Sequence, residues 1–97
     1  GRESFLPAGF SPNDDGINDI FYINSGPQVT NIKNFAILDR WGNLLFKATD
    51  FPPNDSAYGW DGTYRSKKMN SGVYVYMFEV EFFDGLTEIF KGDVTIK

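Results

Sequence analysis

From Val73 to Phe82 the chain alternates strictly, with Tyr74, Tyr76, Phe78, Val80 and Phe82 on one parity and Val73, Val75, Met77, Glu79 and Glu81 on the other. A period of two belongs to a strand, whose successive side chains leave opposite faces. The second set turns acidic towards its end, so the aromatic set is expected to face the core. Asp84-Gly85 then signals a tight turn, after which Phe90, Gly92, Val94 and Ile96 alternate with Lys91, Asp93, Thr95 and Lys97. The two runs predict a long antiparallel hairpin, which commits the chain to sheet.

A second hairpin is expected upstream. Ile32 to Arg40 runs through Phe35, Ile37 and Leu38, Leu44 to Ala48 follows, and Trp41-Gly42-Asn43 connects them. Gly and Asn are the residues that tolerate positive φ at such a turn. Ser4 to Leu6 and Asp19 to Ile23 are shorter strand candidates. Phe51 to Tyr58 and Arg65 to Ser71 read as loops, the second closed by Gly72, and no helix of useful length is expected. Six or seven short strands separated by turns predict an all-β fold, an antiparallel immunoglobulin-like β-sandwich. A small barrel is the other solution, since both bury one face of each strand.

At 97 residues the chain is expected to be one domain over 1–97, a piece of a longer protein, with residues 1–4 a linker or remnant. A domain of this size buries only about 60–65% of its unfolded surface. Ten Phe, five Tyr and two Trp fill so thin a core efficiently. There is no Cys, hence no disulfide framework and no thiolate metal site, although this does not identify the compartment. There is no His either, which removes the commonest general base and metal ligand. The net charge of −4 opposes nucleic acid and anionic lipid. Arg65, Lys67 and Lys68 form the one small basic cluster and are placed on a solvated loop. No run approaches the ~18 apolar residues of a membrane-spanning helix, so no direct membrane insertion is expected. A monomer is.

Ser11 to Asp19 packs turn-formers and oxygen donors together: Asn13, Asp14, Asp15, Gly16, Asn18 and Asp19. Asn13, Asp15 and Asp19 are candidate calcium ligands, because hard cations want several oxygens and Gly16 allows a sharp bend. Against the helix-loop-helix calcium pattern the match is incomplete, since aligning Gly16 puts Ser11 at the first ligand position and Tyr22 where a bidentate Glu belongs. The favoured reading is that Asn13 and Asp15 bond to nearby backbone N–H groups as Asx-turns. No other cofactor is expected.

Asp39-Arg40-Trp41-Gly42 and Trp60-Asp61-Gly62 each sit at the edge of a strand-like run. Exposed Trp rings could stack on sugars. The preferred reading is structural, with Trp41 and Trp60 packed at the ends of the sandwich and Arg40 paired with Asp61 or another carboxylate. Val73, Val75 and Met77 form an apolar patch opposite the aromatic stripe, where they are either covered by another segment or free for a partner. Catalysis finds little support without His or Cys, since nothing in the spacing singles out one carboxylate pair, and there is no Gly-rich phosphate loop.

Four blocks follow one another in order: Phe10 to Asp19, Asp39-Arg40-Trp41-Gly42, Trp60-Asp61-Gly62 and Gly72-Val73-Tyr74-Val75-Tyr76. Together they resemble the gliding-motility-associated C-terminal domain, the type B sorting domain of the type IX secretion system of Bacteroidota. The resemblance runs from about Phe5 to Lys97 and departs at Asp14, where the family usually has Gly. It implies a non-catalytic recognition module at the C-terminus of a large secreted adhesin or enzyme, read by the outer-membrane translocon. It further implies a dedicated gliding-machinery-type outer-membrane barrel protein as partner, transit through the periplasm, and delivery to the cell surface or medium. Because Val94-Thr95-Ile96-Lys97 keeps the strand pattern to the end, recognition is expected on a folded surface. Strand addition at a sheet edge and docking on Val73, Val75 and Met77 are both open. The hairpin from Gly72 to Lys97, with Val94 and Ile96 among the contacts, is expected to carry most of the recognition, and deletion of Asp93 to Lys97 to abolish export. A carbohydrate-binding or adhesion module and a passive immunoglobulin-like spacer are the alternative readings.

Overall fold

The computed structural model describes residues 5–13, 15, 16 and 19–97. In chain order its strands are β1 (Gly9–Phe10), β2 (Val29–Leu38), β3 (Leu44–Phe51), β4 (Thr63–Tyr64), β5 (Lys67–Lys68), β6 (Gly72–Phe82) and β7 (Thr87–Ile96). A 3-10 turn, Ser56–Tyr58, sits between β3 and β4 and is capped by the Asp55 carboxylate, which accepts from the Ala57 N–H. The linker expected at residues 1–4 lies outside the described residues.

The alternating runs form the expected hairpin, with β6 and β7 paired from Gly72↔Ile96 to Glu81↔Thr87. Its turn is held where the Asp84 carboxylate accepts from the Leu86 N–H at 3.1 Å. The second hairpin also forms, β2 against β3, with a bulge at Ile37/Leu38. β2 begins three residues earlier than its sequence pattern suggests and stops at Leu38, while β3 continues through Phe51. The stretch from Phe51 is therefore a loop only after its first residue, whose buried ring ends the strand.

Five strands form the main sheet, in the order β1-β7-β6-β2-β3. The sheet is not purely antiparallel: β1 pairs in parallel with β7 through Gly9↔Thr95 and Phe10↔Ile96. Hairpin turns force antiparallel neighbours, but β1 reaches β7 from the other end of the chain and is under no such constraint. Ser4 to Leu6 does not supply a strand among its described residues, and Asp19 to Ile23 contributes one bridge, Phe21↔Trp60. The expected loop at Arg65 to Ser71 contains β5, paired with β4. Arg65 and Ser66 hold φ of 53° and 67° between them, the two positive values of a type I′ hairpin. Arg-Ser is an unusual choice there, which hid the ribbon.

The fold is an all-β sandwich in which extended segments replace a regular second sheet. Rings from that layer seat on the sheet's inner face: Phe21 against Phe35 of β2 and Tyr76 of β6, Phe5 against Phe78 and Phe90, and Trp60 against Tyr74. Each fully buried large apolar side chain contributes about 1.5–3 kcal/mol. The inner face carries Tyr74, Phe78 and Val80 from β6 and Val94 and Ile96 from β7, all buried, so the aromatic parity points inward as its pattern requires. The layer's backbone is tied by few bonds. Asn24 N–H donates to the Phe5 carbonyl at 2.9 Å, and Asn54 N–H to that of Ile23 at 2.8 Å. Asn54 also clamps Ser25, accepting from its N–H and donating to its carbonyl.

Candidate functional site

The sequence blocks meet in space. Trp60 is buried, with 1% of its surface exposed. Its indole N–H donates to the Thr63 carbonyl at 2.9 Å, and its ring lies 5.6 Å from those of Phe10 and Tyr74. The Asp61 carboxylate accepts from both the N–H and the hydroxyl of Thr63. Gly62 has φ of 82°, and a Cβ there would lie 2.9 Å from the Pro12 ring. The Trp60-Asp61-Gly62 block is thereby packed directly on the Ser11-Pro12 block.

In the oxygen-rich loop, the Asp19 carboxylate accepts from the N–H groups of Asn13 at 3.2 Å and Gly16 at 2.6 Å. Asn13 Oδ1 accepts from the Asp15 N–H at 3.3 Å. These are the bonds of a side-chain-capped turn. Among the described residues no group of three or more His, Cys, Asp or Glu side chains converges as a metal site would require. Both Asp19 oxygens already serve the backbone, so a cation on Asn13, Asp15 and Asp19 would have to displace those bonds. Asp14 and Asn18 lie outside the described residues.

The first tryptophan behaves differently. Asp39 organises the turn after β2: its Oδ1 accepts from the N–H groups of Trp41 and Asn43, and its Oδ2 from the Asn43 side-chain amide, each at 2.9 Å. The Gly42 N–H donates to the Asp39 carbonyl at 3.1 Å, with Gly42 at a φ of 87°. The Asn43 amide, followed by the backbone N–H groups of Asn43, Trp41 and Gly42, holds the Asp39 carboxyl below its usual pKa. Trp41 projects from this turn 80% exposed. It is therefore not a core residue, and the expectation that both Trp side chains pack inside is corrected. The turn's polar bonds, satisfied without the ring, let the indole stand outside. Arg40 does not pair with Asp61. Its guanidinium carbon lies 6.0 Å from the Trp41 ring centroid, while Asp61 serves Thr63. Burial raises the pKa of Tyr74, and the charge of Arg40 opposes that rise.

The outer face of the sheet divides into an apolar and a polar end. The register aligns Asp93, Val75, Leu38 and Leu44 across four strands, with Lys91, Met77, Ala36 and Lys47 in the next row. Val73 and Val75 are 49% and 38% exposed, and Leu44 is exposed two strands away, across Leu38. No described segment covers these valines. Towards the other end the Asn34 amide donates to the Glu79 carboxylate at 3.2 Å. Val94 and Ile96 do not belong to this surface: 0% and 3% exposed, they face inward as the parity of β7 dictates. Their assignment to a contact surface is corrected, and Val73, Val75 and Met77 remain outside. Phe83, Leu86 and Ile89, exposed towards the β6–β7 turn, were missed by sequence reasoning, although two apolar residues flanking Asp84-Gly85 were a visible signal.

A sequence model of the CHU_C type IX secretion signal domain matches residues 4–96. The chain belongs to that family. Among curated proteins none matches it in sequence. Of solved structures, CopC from Methylosinus trichosporium OB3b is similar in fold, with a TM-score of 0.57 and 20% sequence identity over 98% of this chain and 94% of that one. That likeness supports the sandwich and nothing more specific. As a CHU_C domain, the chain is a non-catalytic signal recognised by the type IX secretion machinery, and it acts in secreted or surface-exposed proteins. The Trp60 block packs in the domain's second layer and the Asp39 block forms a turn, while the Gly72 block opens β6 and leaves Val73 and Val75 exposed on the outer sheet face.

Proposed function

We propose that this CHU_C domain is read as a folded surface by a gliding-machinery-type outer-membrane β-barrel protein, and that Val73, Val75 and Met77 lie at the centre of the contact. The observation carrying this reading is the uncovered apolar end of the outer face, flanked by Leu38 and Leu44 and ringed by Asp93, Lys91 and Lys47. An apolar centre with a polar rim is the anatomy of a recognition interface. The domain travels through the periplasm as one unit over 1–97, a monomer, with residues 1–4 as linker, and delivers its cargo to the surface or medium. A net charge of −4 keeps nucleic acid and anionic lipid out of its partner set.

Removing Asp93 to Lys97 cannot test this, because it strips Val94 and Ile96 from the core and unfolds the signal. The informative variant is Val73→Lys with Val75→Lys, which puts two charges into the interface and leaves the core alone. Export of a fused reporter should fall at least about tenfold, the factor that ~1.4 kcal/mol of lost affinity produces, with the thermal midpoint unchanged. Normal export of this variant would overturn the proposed contact.

A further inference from the structure

We propose that the Trp41 turn and the pocket beside it form a carbohydrate-binding site that takes a hexopyranose unit of a surface glycan. This goes beyond sorting and does not depend on the barrel contact. A tryptophan is ordinarily among the more buried residues, and this chain buries Trp60 almost completely while leaving 80% of Trp41 in solvent. The exposure is not that of a loose loop. The Asp39 carboxylate fixes the backbone at Trp41 and Asn43, so the ring is presented on a frame set before any ligand arrives, which lowers the ordering cost of binding. Arg40, its guanidinium carbon 6.0 Å over the ring, sits at the outer limit of a cation–π contact and leaves the indole 80% exposed.

Adjoining the indole is a pocket of about 350 Å³ lined by Trp41, Arg40, Asn70, Ser71, Val73 and Tyr74, among others. That volume is at the small end of the ~300–1,000 Å³ typical of small-molecule sites, too small for a folded partner and suited to one end of a glycan. The Asn70 carbonyl accepts from the Tyr74 hydroxyl at 2.6 Å, which fixes that segment against β6. The Asn70 carboxamide and the Ser71 hydroxyl make no hydrogen bond among the described residues. Asn70, Ser71 and Arg40 thus line a pocket that adjoins an open aromatic plane. A pyranose offers the complement: ring C–H groups, carrying partial positive charge, for the electron-rich indole face, and hydroxyls that both donate and accept for Asn70, Ser71 and Arg40.

The test is titration of the ¹⁵N-labelled domain with glucose, galactose, mannose, fucose and N-acetylglucosamine, followed by a glycan array. The readout is the two indole N–H signals, assigned with Trp41→Phe. At least one sugar should move the Trp41 signal saturably while the Trp60 signal stays in place. Trp41→Ala should abolish array binding and Asn70→Ala weaken it at least tenfold, both with unchanged thermal midpoints. Absence of binding to every sugar, or binding that survives Trp41→Ala, would overturn the site. Loss of reporter export in Trp41→Ala without any sugar binding would also overturn it, assigning the ring to a protein contact. Retained sugar binding in Val75→Lys, at a residue outside the pocket lining, separates this site from the proposed barrel contact.

Discussion

Phe21 and Trp60 exchange both backbone hydrogen bonds, Phe21 N–H to the Trp60 carbonyl at 2.8 Å and Trp60 N–H to the Phe21 carbonyl at 2.9 Å. That one bridge joins two segments almost forty residues apart, and their rings are both seated in the core. A regular second sheet would share the load over a ladder; here it falls on side-chain burial. Trp60→Ala is therefore expected to cost about 3–5 kcal/mol. A domain with only ~5–15 kcal/mol in total would be left close to unfolding. Urea denaturation followed by far-UV circular dichroism measures it, and a loss below about 1 kcal/mol would contradict the packing described.

The two tryptophans report opposite environments. Emission should resolve into a blue-shifted component from Trp60 and a red-shifted one from Trp41, and acrylamide should quench only the second. Trp41→Phe should leave a single protected component, and Trp60→Phe a single accessible one. Equal protection of both from acrylamide would place Trp41 inside after all.

Asp39 makes the Trp41 turn sensitive to acid. Its pKa is lowered in the fold from a reference of 3.8 by the hydrogen bonds it accepts. A depressed carboxylate contributes stability that is present above the unfolded pKa and is lost as pH falls through the folded one. The turn should thus hold at neutral pH and loosen only below about pH 4. Amide exchange at Trp41 and Asn43 should accelerate, relative to the rest of the chain, in that window. Asp39→Ala removes all three acceptor bonds and should show the faster exchange at pH 7, while the two long hairpins keep their protection.

How far the molecule was legible in its sequence follows from where each constraint resides. Tyr74 to Phe82 and Phe90 to Ile96 carry their own period, so hairpin, parity and inner face could be read directly. β1 could not: two residues pairing in parallel with the far end of the chain leave no periodic trace. The β4–β5 ribbon was hidden because Arg65 and Ser66 adopt positive φ that their types disfavour. At the candidate site, Val73 and Val75 were visible as apolar residues on the wrong parity for a core. The same parity rule, applied to Val94 and Ile96, places them inside, and assigning them to a surface ignored it. Trp41 was misplaced because type alone favours burial. Asp39, two residues earlier, was the signal, since a carboxylate able to cap the whole turn removes any need for the ring to anchor it.

The contrast between the two faces of the last hairpin yields the sharpest experiment. Ile96 is enclosed by the core, so Ile96→Ala leaves a cavity and should cost about 2–5 kcal/mol. Val75 lies on the open face opposite Asp93, and Val75→Lys should change stability by no more than about 0.5 kcal/mol, with Asp93 offering the new ammonium a cross-strand partner. If export follows folding alone, the Ile96 variant is lost and the Val75 variant passes. If export follows the outer surface, the Val75 variant fails although fully folded, and a stabilised Ile96 variant, rescued by lower growth temperature, is exported. Measuring urea midpoints and reporter export on the same two proteins separates a signal that must merely be folded from one that is touched at Val75.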